Sequence, residues 1–196
     1  MVIMALLLLV GHFAPWVAHK TAVLTLSGHD LAVFTHFTPG AGIFLNQWFY
    51  LPLWAAALIG ALLADRSKSV INRILVAMGC AIIASLGMPG YPQVLSAYRS
   101  SDYQLQFFIT LAVIVAVFAL IMARAGQHAR LRWGLTLAIL ITAIIPLGGY
   151  LAVKPAIEQL YNESVGIGFG WWLTLAACLT GVIVLGSMRT HSADIH

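Results

Sequence analysis

Apolar runs of near-membrane length alternate along this chain with short polar connections. A helix needs about 20 mostly apolar residues to cross the hydrocarbon layer. Six stretches approach that length: Val2–Val17, Leu45–Ala64, Val70–Met88, Gln106–Ala123, Trp133–Val153 and Gly170–Met188. None alternates apolar with polar positions, so barrel strands are excluded, and a helix is the element that satisfies its own backbone in lipid. The pattern predicts an all-α integral membrane protein, a bundle of six transmembrane helices forming one polytopic domain over 1–196. Residues 18–44 form the longest predicted exterior segment. Within it Val23, Thr25 and Ser27 alternate with Leu24 and Leu26, as in a half-buried strand. Ser27-Gly28 reads as a turn and His29–Phe37 as a second extended run, which together predict a small exterior β-hairpin-like loop between spans one and two.

Composition strengthens the membrane reading. Hydrophobic residues make up 61% and charged residues 8%, and the mean hydropathy is +0.95. A soluble domain carries about 25% charged residues, so this chain cannot cover a water-facing surface. The net charge of +4 is not a nucleic-acid signal, because the basic residues form no stripe. They set orientation instead. Arg66, Lys68, Arg73, Arg124, Arg130, Arg132 and Arg189 fall on one predicted side, and Lys20, Arg99 and Lys154 on the other. The positive-inside rule places the first group, and both termini, in the cytoplasm of a bacterium, with the protein in the inner membrane. Trp16, Trp48, Trp171 and Trp172 suit an aromatic belt at the opposite face. The first span lacks a basic start, and Pro15-Trp16 is a poor approach to a cleavage site. It therefore reads as an uncleaved helix; cleavage as a signal peptide would leave five spans.

Four features are candidates for chemistry or packing. His29, Asp30 and His36 concentrate imidazole and carboxylate in the exterior segment and are the candidate metal ligands, although their spacing matches no metal motif and a polar, partly solvated loop is the plainer explanation. His12 lies inside the first span, where an ionisable residue is a functional candidate. A neutral imidazole there suits the iron of a haem or the magnesium of a chlorophyll; a hydrogen bond to a neighbouring helix is the alternative. Pro146, followed by Gly148 and Gly149, predicts a kink near the end of the fifth span. Small residues recur at four-residue spacing: Ala56, Gly60 and Ala64, then Ala77, Ala81 and Ser85, then Ala177 and Gly181. Such stripes let helices approach closely. Cys80 and Cys178 sit in apolar runs and read as small fillers.

The start of the chain resembles a pattern of bacterial polytopic proteins, in which an apolar span ending in Pro15-Trp16-Val17 is followed by an exterior Leu26-Ser27-Gly28-His29-Asp30-Leu31 stretch. The resemblance implies a topology and no activity. The chain holds no phosphate-binding loop, zinc-protease motif, nucleophile elbow or paired carboxylates. The expectation is a non-enzymatic accessory or anchoring subunit of a larger membrane complex, its partners the lipid bilayer and other membrane subunits. Two alternatives stand beside it: a transporter or channel component, and a pigment- or haem-binding subunit. Transport would require Thr110, Thr136, Thr142, Thr174 and Thr180 to converge on one polar path near Pro146.

Overall fold

A computed structural model describes residues 1–19, 25–36, 43–64, 69–124 and 128–193; the side chains of residues 36, 43–45, 129–130 and 188–193 lie outside that description. The described chain is mostly helical. Its helices are α1 (Val2–Phe13), α2 (Gly28–His36), α3 (Ile43–Trp48), α4 (Leu51–Ala64), α5 (Val70–Ser85), α6 (Gln104–Met122), α7 (Ala129–Tyr161) and α8 (Phe169–Ala193). Four helical segments are long and apolar enough to cross a membrane: Asn46–Ala64, Gln104–Met122, Leu131–Tyr161 and Phe169–Ser187. The other two expected spans are shorter. α1 has 12 residues and α5 has 16, so at ~1.5 Å per residue they reach about 18 and 24 Å across a layer about 30 Å thick.

The first helix stops at Phe13 and not at Val17 because Pro15 cannot donate to the helix ladder and forces the residue before it out of the helical region. Ala14 is extended at φ −72°, ψ 155°, and Pro15–Ala18 continues as strand β1. This strand is the centre of a three-stranded sheet between β2 (Leu26–Ser27) and β3 (Gly166–Ile167). Both pairings are antiparallel, with Pro15 opposite Ser27 and Val17 opposite Ile167. Just past β3, the Gly168 amide donates to the Trp16 carbonyl at 2.6 Å. The sheet therefore ties the end of α1 to the start of α8.

The expected hairpin takes another form. Residues 20–24, which carry much of its first run, lie outside the described residues. Of its second run, residues 29–36 are not extended but lie in helix α2 (Gly28–His36), and Phe37 lies outside the described residues. A capping box explains the helix. The Asp30 carboxylate accepts from the Ser27 amide at 2.9 Å and the Ser27 hydroxyl at 2.7 Å, while the Asp30 amide donates back to Ser27 Oγ at 3.2 Å. Ser27 and Asp30 thus satisfy each other's backbone donors at the helix start.

α4 is the hub of the bundle. It packs against α1, α5, α6 and α7, and most of its side chains are buried, Leu53, Ala57, Ile59 and Leu62 among them. Trp16, Tyr150 and Phe49 are the largest fully buried side chains. Of the small-residue stripes, Ala56, Ala77 and Ala177 are buried, Ala81 is half-buried and Ser85 is exposed. A Cβ at Gly60 would meet Cys80 Sγ of α5 at 2.6 Å, and one at Gly181 would press into Leu140 of α7 and reach Met4 of α1. The close approaches at these glycines are intramolecular.

α7 is one helix of 33 residues that runs through both Pro146 and Pro155 and ends on Asn162 in the left-handed conformation. The helix continues past Val153, the predicted end of the fifth span, to Tyr161. Lys154 and Glu158 pair across one turn at 3.3 Å, and Glu158 accepts from the Val165 amide at 3.1 Å. The Tyr150 hydroxyl donates to the Gly166 carbonyl at 2.9 Å, which fixes β3 to the side of α7.

Candidate functional site

The end of the bundle that carries the sheet also gathers polar and aromatic side chains. His12, in the last turn of α1, is fully buried. His29, in the first turn of α2, is half-buried. The fold-back through β1 and β2 brings their rings to 6.0 Å between centroids, at 84° to each other. The Tyr50 ring lies 6.0 Å from His12 and 5.8 Å from His29, and stacks on Trp54 at 5.8 Å. The Phe13 ring lies 4.9 Å from His12 and 6.4 Å from His29. Both ring nitrogens of His12 and Nδ1 of His29 are buried; the Phe49 backbone is within hydrogen-bonding reach of the His12 ring, and Nδ1 of His29 has no hydrogen-bond partner. Gly28 makes this packing possible: a Cβ there would stand 2.9 Å from the His12 carbonyl oxygen and 3.2 Å from Nδ1.

Tyr50 also lines a cavity of about 250 Å³, together with Ala32, Val33, Asn46, Pro89, Gly90, Gln93, Tyr103 and Gln106. Asn46 and Gln106 are buried amides. Asn46 Oδ1 accepts from the Thr35 hydroxyl at 3.2 Å. The Gln106 side-chain amide donates to the Gly87 carbonyl at 2.8 Å, and the Thr110 hydroxyl reaches that carbonyl at 3.1 Å. The Tyr50 phenol hydrogen-bonds the Gln106 side chain. The lining carries no formal charge, so it suits hydrogen-bonding neutral groups.

The structure separates the sequence-derived site residues. His29 joins His12. Asp30 turns its carboxylate to the cap of α2, and the His36 side chain lies outside the described residues. Among the described residues no three His, Cys, Asp or Glu side chains converge on a metal position. If the Asp30 carboxylate serves as a cap, Asp30→Ala costs about 1 kcal/mol in equilibrium unfolding; an unchanged midpoint would show that the cap contributes nothing. His19 is mostly buried and pairs with Glu163 at 3.1 Å, with the Tyr161 ring edge-on at 5.6 Å. This is a second tie between the segment after α1 and the loop after α7.

The sequence reading passed over Asn46, Tyr50, Gln106 and the His19–Glu163 pair. The amides carried a usable signal, since polar side chains inside apolar spans are functional candidates. Compared with known proteins, the chain matches no family model, no curated protein and no solved structure.

Proposed function

We propose that the chain is a non-enzymatic polytopic subunit of a bacterial inner membrane, in which α1 and α5 join the four longer helices as spans, both termini face the cytoplasm, and the whole serves as an accessory or anchoring part of a larger complex. The observation that carries this reading over transport is the dispersal of the threonines. Thr110, Thr142, Thr174 and Thr180 each donate to a carbonyl on their own helix, three or four residues back, while Thr136 is buried on α7 with its hydroxyl unbonded. The cavity beside Tyr50 is lined by none of them, nor by Pro146. Four hydroxyls turned back onto their own helices, and a fifth that does not reach the cavity, do not make a path for a solute.

The exposed apolar faces support a lipid or protein environment. α5 presents Ile71, Ile74, Leu75, Met78 and Ile82 outward. A helix shorter than the hydrocarbon thickness is accommodated by local thinning or by association with other helices. The pigment- or haem-binding alternative gains no support at His12, because Phe13, His29 and Tyr50 fill the space around its ring. Purification from the native membrane in mild detergent tests the reading. A stoichiometric membrane partner is expected to co-elute. A monodisperse monomer that retains a small solute would overturn it in favour of transport.

A further inference from the structure

The pairing of His12 with His29 brings buried imidazole nitrogens of both residues into one place, where the Phe49 backbone is the hydrogen-bonding neighbour of His12 and Nδ1 of His29 has none. Buried polar atoms are nearly always satisfied by protein, water or an ion. We propose that His12 and His29 form a two-coordinate site for a monovalent soft cation, copper(I), at the junction of α1 and α2.

The spacing fits one shared ion. An imidazole nitrogen lies about 1.2 Å from its ring centre and binds a metal at about 2.0 Å, so two rings on one ion have centres at most about 6.4 Å apart. The observed 6.0 Å falls inside that limit and corresponds to a bent arrangement, with an angle of about 140° at the shared ion. A tetrapyrrole between the rings would have to displace Phe13 and Tyr50.

The surroundings select the charge. Among the described residues no third His, Cys, Asp or Glu completes a higher-coordinate site. The nearby Asp30 carboxylate is turned toward the Ser27 amide and hydroxyl. A divalent ion held by two neutral imidazoles would keep its full charge in a buried, mostly aromatic setting, which is costly. A single positive charge costs less there and is favoured by the faces of Tyr50 and Phe13. Copper accepts imidazole nitrogen readily. Gly28 keeps the approach of α2 to Nδ1 of His12 open, which a side chain would close.

The test uses the full chain in detergent under reducing, oxygen-free conditions. Copper(I) is titrated in competition with a chromogenic chelator, and the bound ion is characterised by X-ray absorption. One equivalent with two nitrogen neighbours is expected. His29→Ala and His29→Gln should each weaken binding by about a hundredfold or more, since even loss of a group behind a ligand costs 10–100-fold. The half-buried position of His29 lets circular dichroism confirm that both variants remain folded, so the proposal stays testable should His12→Ala fail to fold. His19→Ala and His128→Ala should bind as the unaltered protein does. Absence of a bound equivalent, undiminished binding in His29→Ala, or a preference for zinc(II) at the same two residues would each overturn the proposal.

Discussion

Gly170→Ala should destabilise the protein by about 3 kcal/mol, the upper part of the range for forcing atoms into a packed site. A Cβ at this position would stand 2.5 Å from the Ala14 carbonyl oxygen, 2.7 Å from the Gly11 carbonyl oxygen and 2.5 Å from Trp16 Cδ1. Two of these neighbours are backbone and cannot rotate away. Gly11 faces the same crossing, and a Cβ there would lie 2.8 Å from the Thr174 hydroxyl. α1 and α8 therefore meet glycine against glycine, with the Thr174 hydroxyl bonded to the Gly170 carbonyl at 3.0 Å beside the contact. The measurement is reversible unfolding in mixed micelles titrated with dodecyl sulfate. Gly148→Ala is the control: a Cβ there meets nothing within 4 Å, and alanine is the better helix former, so no loss is expected. A cost below about 1 kcal/mol for Gly170→Ala would mean that α1 slides away at little expense.

Trp16→Ala should be of similar or greater size, about 3–5 kcal/mol for removing a buried indole. Trp16 is fully buried, packs edge-on against Phe49 at 6.0 Å and Tyr150 at 6.2 Å, and donates its Nε1–H to the Gly11 carbonyl at 2.7 Å. Its loss opens a cavity among α1, α7, α8 and the turn at Phe49 and leaves that carbonyl without its side-chain donor. Trp16→Phe separates the two effects. It keeps much of the apolar bulk and removes the hydrogen bond, so it should cost about 1–2 kcal/mol. Equal costs for the two variants would assign the whole effect to the hydrogen bond.

The membrane-length apolar helices were legible because period and composition act locally and over many residues. Span ends were less legible. The apolar run through Val17 hides the break that Pro15 imposes, and the run from Leu45 hides the turn at Phe49–Tyr50 between α3 and α4. The exterior segment misled in its second run and not in its alternation, whose described end, Leu26–Ser27, is strand β2. The run after the turn was read as extended, while Ser27-Gly28-His29-Asp30 carried a capping-box signal for a helix. The meeting of His12 with His29 was not legible at all. It depends on β1 pairing with β2 in one register, and no local pattern encodes where two side chains converge after such a reversal. The same holds for His19 and Glu163, which are brought together by strands from opposite ends of the chain.

The placement of β1 at the centre of its sheet also constrains the order of assembly. A chain made from its N-terminus presents Pro15–Ala18 early, yet one of the strand's two partners, Gly166–Ile167, emerges only after α7 has been completed. Until then the Trp16 carbonyl lacks the Gly168 amide, and the glycine face of α1 lacks α8. The first helix must therefore wait, incompletely packed, through the synthesis of most of the bundle. Release of the chain before Gly166 would strand it in that half-docked form, whereas separate expression of the segment holding β3 and α8 should restore the missing strand and helix in trans.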